Sequence, residues 1–176
     1  MSVLNEERKI IFIHIPKTGG TSMCKRKFLQ PVLEWHTSLQ GLRTQHGDLD
    51  FNEYFKFAFV RNPYTRFISQ MEGELSMEKW NRYIEEKHSL ARTQLSFIQL
   101  DGKIGVDFIG RYENLKEDWK EVCERIGVDS RLSFVNKTEK RFEGRLDREF
   151  VALINSFYAV DFKEFGYEAL EDFVSR

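Results

Sequence analysis

Two stretches of this chain carry apolar side chains at nearly every position: Ile10 to Ile15 (IIFIHI) and Tyr54 to Val60 (YFKFAFV). A half-exposed strand would alternate apolar with polar; a short continuous run suits a central strand of a parallel sheet, buried on both faces. Val106 to Tyr112 (VDFIGRY) reads as a third strand. Helical signals fall between them. Residues from about Thr21 to Leu29 can form a helix that stops before Pro31. Pro63 suits the first turn of a helix reaching about Glu72. Residues 77–99 read as one or two helices. Asn114 can N-cap a helix from Leu115 to Ile126, and Asp147 one that runs to Ala159. Residues 31–50 read largely as loop. Strands alternating with helices predict an α/β fold with a central, mostly parallel sheet between helical layers. No repeat, low-complexity tract or linker divides it, so residues 1–176 read as one domain.

In such sheets ligands sit beyond the carboxyl ends of the strands, and the residues there are informative. The first run breaks at Pro16 into Lys17-Thr18-Gly19-Gly20-Thr21-Ser22. A buried strand feeding a glycine-containing loop that opens a helix is a phosphate-binding layout. The glycines let backbone N–H groups approach an anion; Lys17 adds a charge, and Thr18, Thr21 and Ser22 add hydroxyls. The fold is therefore P-loop-like, a three-layer α/β/α sandwich. The loop is nevertheless not a Walker A sequence, which places its lysine after the second glycine.

Composition narrows the choice of partner. A net charge of −1 does not suggest a nucleic-acid binder, so any anion site is a local concentration of positive charge. The two cysteines, Cys24 and Cys123, have neither disulfide-framework nor metal-ligand spacing and read as small core residues. The 16 phenylalanines read as a Phe-rich core. No apolar stretch is long enough for a signal peptide or a membrane-spanning helix, and a cytoplasmic protein is the default expectation.

The second run ends in Arg61-Asn62-Pro63-Tyr64-Thr65-Arg66-Phe67-Ile68-Ser69. Arg61 stands at the strand exit and Ser69 one to two turns into the next helix. The pair could grip one phosphate, the arginine as a planar fork and the serine as a neutral donor. Arg66, midway along that helix, reads as structural or solvent-facing.

Together, PKTGGTS at Pro16–Ser22 and RNPYTRFIS at Arg61–Ser69 resemble the two cofactor motifs of carbohydrate-modifying sulfotransferases. In that family the first binds the 5′-phosphosulfate of 3′-phosphoadenosine-5′-phosphosulfate (PAPS) and the second its 3′-phosphate. Asp107–Leu115, Asn136-Lys137-Thr138 and Asp161–Tyr167 resemble later segments of the same family, so the resemblance covers roughly residues 8 to 168. It implies sulfuryl transfer to a hydroxyl acceptor, a carbohydrate or glycolipid, with no metal. Lys17 would neutralise charge at the reacting centre. Lys17, Thr18, Gly19, Gly20, Thr21 and Ser22 would hold the 5′ end, Arg61 and Ser69 the 3′-phosphate, and Lys137 would reach a phosphate from a closing loop. Tyr112, at the third strand's end, could stack on the nucleotide base or equally belong to the core. The chain is shorter than usual between Ser69 and the third strand, where acceptor-binding surface is built.

An acceptor hydroxyl needs a general base, and histidine suits neutral pH. Of the four histidines, His14 lies within the first strand and reads as a core residue, and His88 as solvated. His36 and His46 remain, 25 and 15 residues before Arg61. In the resembling family the base stands some two dozen residues before this arginine, which favours His36 and leaves His46 second. Glu34 could orient the base or replace it, with Glu74 and Glu113 as weaker carboxylates. A small kinase using ATP–Mg²⁺, or a nucleotide-binding protein without catalysis, are the competing readings.

Overall fold

The computed structural model describes residues 2–31, 33, 36–71, 75–132 and 146–170. Its strands are β1 (Val3–Asn5), β2 (Ile10–Ile13), β3 (Phe55–Val60), β4 (Gln99–Leu100), β5 (Lys103–Ile104) and β6 (Phe108–Arg111). Its helices are α1 (Gly20–Met23), α2 (Leu39–Gln45), α3 (Pro63–Gln70), α4 (Met77–Glu85), α5 (Leu95–Ile98), α6 (Leu115–Arg125), α7 (Arg148–Phe157) and α8 (Ala159–Phe165). The main sheet has the order β1-β2-β3-β6. β2, β3 and β6 are parallel, in a register that pairs Ile13 with Ala58 and Val60 with Arg111, and β1 adds an antiparallel edge. β4 and β5 form a separate short hairpin.

The continuous apolar runs have the expected cause: both faces of the sheet are covered. Ile11, Ile13, Ala58 and Val60 pack against Leu39 and Leu42 of α2, the α5 side chains and Phe165 of α8. Ile10, Phe12, Phe57 and Phe59 pack on the other face against Met23 of α1 and Leu115, Trp119 and Val122 of α6. The result is the three-layer sandwich, and its second face is phenylalanine-rich, with the Phe12 and Phe57 rings stacked at 5.0 Å. A further apolar cluster joins α3, α4 and α7 through Phe67, Trp80 and Phe150. Cys24 and Cys123 are buried on the α1–α6 side and form no disulfide.

Several boundaries differ from the sequence expectation. The first helix ends at Met23, and a separate 3₁₀ turn covers Lys27–Leu29. Residues 31–50 contain α2, N-capped by the Ser38 side chain. Asn114 precedes α6 but forms no side-chain cap bond; its backbone belongs to a 3₁₀ turn over Tyr112–Asn114 that leads directly into α6. Asn62 does cap α3, its Oδ1 accepting from the N–H groups of Tyr64 and Thr65, with Pro63 at the first helical position.

Among the described residues no helix is long and apolar enough to cross a membrane. The carboxyl ends of β2, β3 and β6 open on one edge, which brings the Lys17 loop, Arg61 and Tyr112 together as expected.

Candidate active site

The chain leaves β2 through His14, Ile15 and Pro16 and turns at Lys17. Lys17 has φ +68°, a left-handed conformation that L residues rarely adopt, and Gly19 has φ +88°. The turn closes on itself. Thr18 is fully buried and its hydroxyl donates to the Ile15 carbonyl at 2.8 Å. The Ser22 N–H donates to the Gly19 carbonyl at 3.0 Å. The Thr18 hydroxyl and the Ser22 N–H thus help to close the loop, since a tight turn must satisfy its own polar atoms. Lys17 and Ser22 remain half-buried and Thr21 exposed at the loop surface.

Gly20 is fixed by its neighbour. A Cβ there would stand 2.0 Å from Cδ2 and 2.3 Å from Nε2 of His14. The expected result for Gly20→Ala is therefore a loss of about 1–3 kcal/mol, the usual cost of overpacking, read as a lower midpoint in urea. An unchanged midpoint would contradict this packing.

Arg61 leaves β3 almost buried, with 5% exposure. Its Nη1 donates to the Lys17 carbonyl at 3.1 Å and its Nε to Thr65 Oγ1 at 3.0 Å. Its guanidinium lies 4.0 Å from the centre of the Tyr112 ring. The Tyr112 ring also meets the loop, 3.3 Å from where a Gly19 Cβ would be. Tyr112 thus supports Arg61 and the loop. Burial lowers the Arg61 pKa, partly offset by Tyr112 and Glu113, and a guanidinium keeps its charge regardless. Ser69 lies one helical turn beyond Thr65, on the stripe of α3 that Arg61 already touches.

The two candidate histidines separate clearly. His36 has φ +57° and its Nδ1 lies 3.1 Å from the His14 carbonyl. A carbonyl can only accept, so Nδ1 carries the proton and the basic lone pair of the neutral ring is on Nε2. The His36 and His14 rings are 4.9 Å apart, and His14 in turn packs on Gly20. Burial is the main force lowering the His36 pKa, against the His14 carbonyl, which raises it. His14 is buried and held well below the ordinary histidine range by desolvation, so it stays neutral. His46 is the C-cap of α2; its backbone bonds Leu42 and Leu49. No hydrogen bond or ring contact among the described residues joins it to Lys17, His14 or Arg61.

Four supporting residues were not singled out from sequence. The Gln94 amide clasps Arg61 from both sides, accepting from its N–H and donating to its carbonyl, each at 2.8 Å. Asp161, fully buried, accepts from the N–H groups of Gln94 and Leu95 at 2.8 and 3.0 Å. Burial raises the Asp161 pKa, and those amides pull it back. Tyr167 donates to Glu113, whose other oxygen accepts from the Asn62 N–H at 2.8 Å. Ser2 bridges the segment bearing His36 to the strand, donating to the Thr37 carbonyl and accepting from the His14 N–H. For Asp161 and Tyr167 the signal was their place in the C-terminal segment of the resemblance. Gln94 and Ser2 carry none. Glu113 positions Asn62 and is not placed as a base. Lys137, Glu34 and Glu74 lie outside the described residues, as does the Asn136-Lys137-Thr138 loop.

The model of the Sulfotransferase family matches residues 22–72 and 76–168, which include Arg61–Ser69, Tyr112 and Asp161–Tyr167. The chain belongs to the sulfotransferase family. The matched region begins at Ser22 and does not include the Lys17 turn. An uncharacterized protein of Archaeoglobus fulgidus is 33% identical over 99 residues, covering 52% of this chain and 82% of that protein. No solved structure matches the chain. Among the described residues no group of three or more histidine, cysteine or carboxylate side chains could hold a metal.

Proposed function

We propose that this sulfotransferase takes its sulfuryl group from PAPS and passes it to a hydroxyl of a carbohydrate or glycolipid, with His36 as the general base. The observation that carries this reading is the meeting of the Lys17 turn, Arg61 and His36 at one sheet edge, with the His36 tautomer set by the His14 carbonyl. The residues fit a nucleotide carrying phosphates at both ends. The turn has no room for a side chain at Gly20, and a nearly buried guanidinium sits at the strand exit beside it. Lys17 with the Gly19–Thr21 backbone would hold the 5′ end, and Arg61 with Ser69 the 3′-phosphate. When bound, PAPS supplies a sulfuryl group on a good leaving group.

The chain's own residues then have little covalent work; positioning and charge stabilisation dominate, as in phosphoryl transfer. His36 Nε2 accepts the proton of the acceptor hydroxyl as the hydroxyl oxygen attacks. Lys17 offsets the negative charge that develops on the leaving side.

The test is calorimetry with 3′-phosphoadenosine 5′-phosphate, using AMP and ATP–Mg²⁺ as controls. The expected result is a preference of at least about tenfold for the 3′-phosphorylated nucleotide. In Arg61→Ala that preference disappears, a loss of about 1.5–3 kcal/mol for a charged hydrogen-bonding partner. Equal affinity for AMP in the parent protein would refute the donor assignment, and a preference for ATP–Mg²⁺ would establish the kinase reading instead.

A further inference from the structure

Arg66 is the side chain at this edge that the mechanism leaves unused. It is fully buried, with no carboxylate within ion-pair distance among the described residues; Tyr158, whose ring centre lies 5.6 Å from the guanidinium, and the buried Asp161 answer its charge. Burying a guanidinium is costly unless its donors and charge are satisfied, so what it holds matters. Its Nε donates to the Pro16 carbonyl at 3.2 Å and its Nη1 to the Arg92 carbonyl at 3.1 Å. The Pro16 carbonyl belongs to the peptide unit just before the Lys17 Cα. The carbonyl just after it, that of Lys17, is held by Arg61.

Two arginines of one strand–helix junction therefore hold the two peptide planes that flank Lys17. Fixing the plane before a Cα fixes φ, and fixing the plane after it fixes ψ. Lys17 is the residue of this turn that needs such restraint, since it is not glycine and has φ +68°. An L residue stays in that region only where its surroundings over-determine it. Its backbone angles in turn set the direction in which its ammonium group leaves the chain.

We propose that Arg66 is a positioning residue for Lys17: by holding the Pro16 carbonyl it locks the left-handed backbone that aims the Lys17 side chain at the reacting centre. Its consequence for catalysis rests on the sulfuryl-transfer reading above; its consequence for the Lys17 backbone does not. The motif that grips the 3′ end thereby also shapes the residue acting at the 5′ end.

The experiment uses Arg66→Met, which removes both carbonyl hydrogen bonds together with the charge beside Tyr158 and Asp161, and Arg66→Lys, which keeps that buried cation but not the fork. Thermal melts establish that each variant is folded, and Arg66→Lys serves alone if Arg66→Met is not. The first readout is the ¹³Cα shift of labelled Lys17 in the ligand-free protein, which reports its φ and ψ. It is expected to leave the left-handed value in the variants. The second is a double-mutant cycle on kcat. Arg66 variants are expected to lose at least about tenfold in the parent background and less than about twofold in Lys17→Ala, because the loss travels through Lys17. Affinity for 3′-phosphoadenosine 5′-phosphate is expected to change little.

An unchanged Lys17 shift, or equal losses in both backgrounds, would overturn the role of Arg66 while leaving the donor assignment intact. Failure of the parent protein to bind the 3′-phosphorylated nucleotide would overturn the donor assignment, and the Lys17 shift would still decide whether Arg66 locks the turn.

Discussion

With His36 as the base proposed above, His36→Ala is expected to lower kcat by about 10²–10⁴-fold, the usual contribution of a positioned general base, and to leave the affinity for 3′-phosphoadenosine 5′-phosphate nearly unchanged. The pH dependence gives this result its signature. A base works when neutral, that is, above its pKa. Burial holds the His36 pKa below the ordinary value of 6.5, outweighing the His14 carbonyl, which raises it; the charges of His88 and Arg66 push it further down. The form that would act as base therefore already dominates at pH 6.5, and kcat should fall only as the pH drops through the lowered value. A kcat profile from about pH 5 to pH 8 should show that acidic limb in the parent protein and lose it in His36→Ala. His46→Ala should keep both the limb and the rate. The opposite pattern, with the limb lost on replacing His46, would transfer the base to the end of α2.

Lys17→Ala should lower kcat by about 10²–10³-fold, the scale found when one preorganised donor is removed from a developing negative charge. The effect is expected in kcat more than in KM, because a charge that builds up during transfer is absent from the ground state. The neighbouring backbone sharpens the prediction. Alanine at position 17 inherits the φ of +68° and keeps the carbonyl that Arg61 holds, so the turn survives while its ammonium group is gone. Steady-state kinetics with saturating donor measure this directly. An unchanged kcat would remove Lys17 from the transition state. A rise in KM alone would make it a binding residue.

The strand ends and loop–helix junctions at this edge were legible because their signals are local. Ile10–Ile15 and Tyr54–Val60 are apolar throughout because helices cover both faces of the sheet. Asn62-Pro63 announces a helix start by cap chemistry, and Pro16 with Gly19 and Gly20 announces a turn. What was not legible depends on contacts between distant segments. The spacing before Arg61 favoured His36 only by resemblance; that His36 reaches the strand is seen in its bond to the carbonyl of His14. Arg66 lies on a helix whose exposed face the sequence could not assign, and it proves fully buried beneath the Lys17 turn. Gln94 earns its place through a clasp on Arg61, and Asp161 through the amides of Gln94 and Leu95. Val3–Asn5 is too short for any periodic signal, and its edge pairing to β2 is a tertiary fact. That the Thr18 hydroxyl and the Ser22 N–H bond carbonyls of the turn itself was not legible either, because such bonds follow from the loop's closure and not from residue type.

Cys24 and Cys123 give the fold a built-in clock. Each thiol is buried, and desolvation raises its pKa to about 11, so neither alkylates at neutral pH without an opening of the structure. Cys24 closes the short helix that follows the Lys17 turn, while Cys123 lies within α6 against Trp119 and Val122. The labelling rate at Cys24 should therefore report local opening next to the turn, and the rate at Cys123 the opening of the whole layer. A donor nucleotide seated in the turn would slow the first more than the second, which makes thiol chemistry a way to watch the site close without any acceptor present.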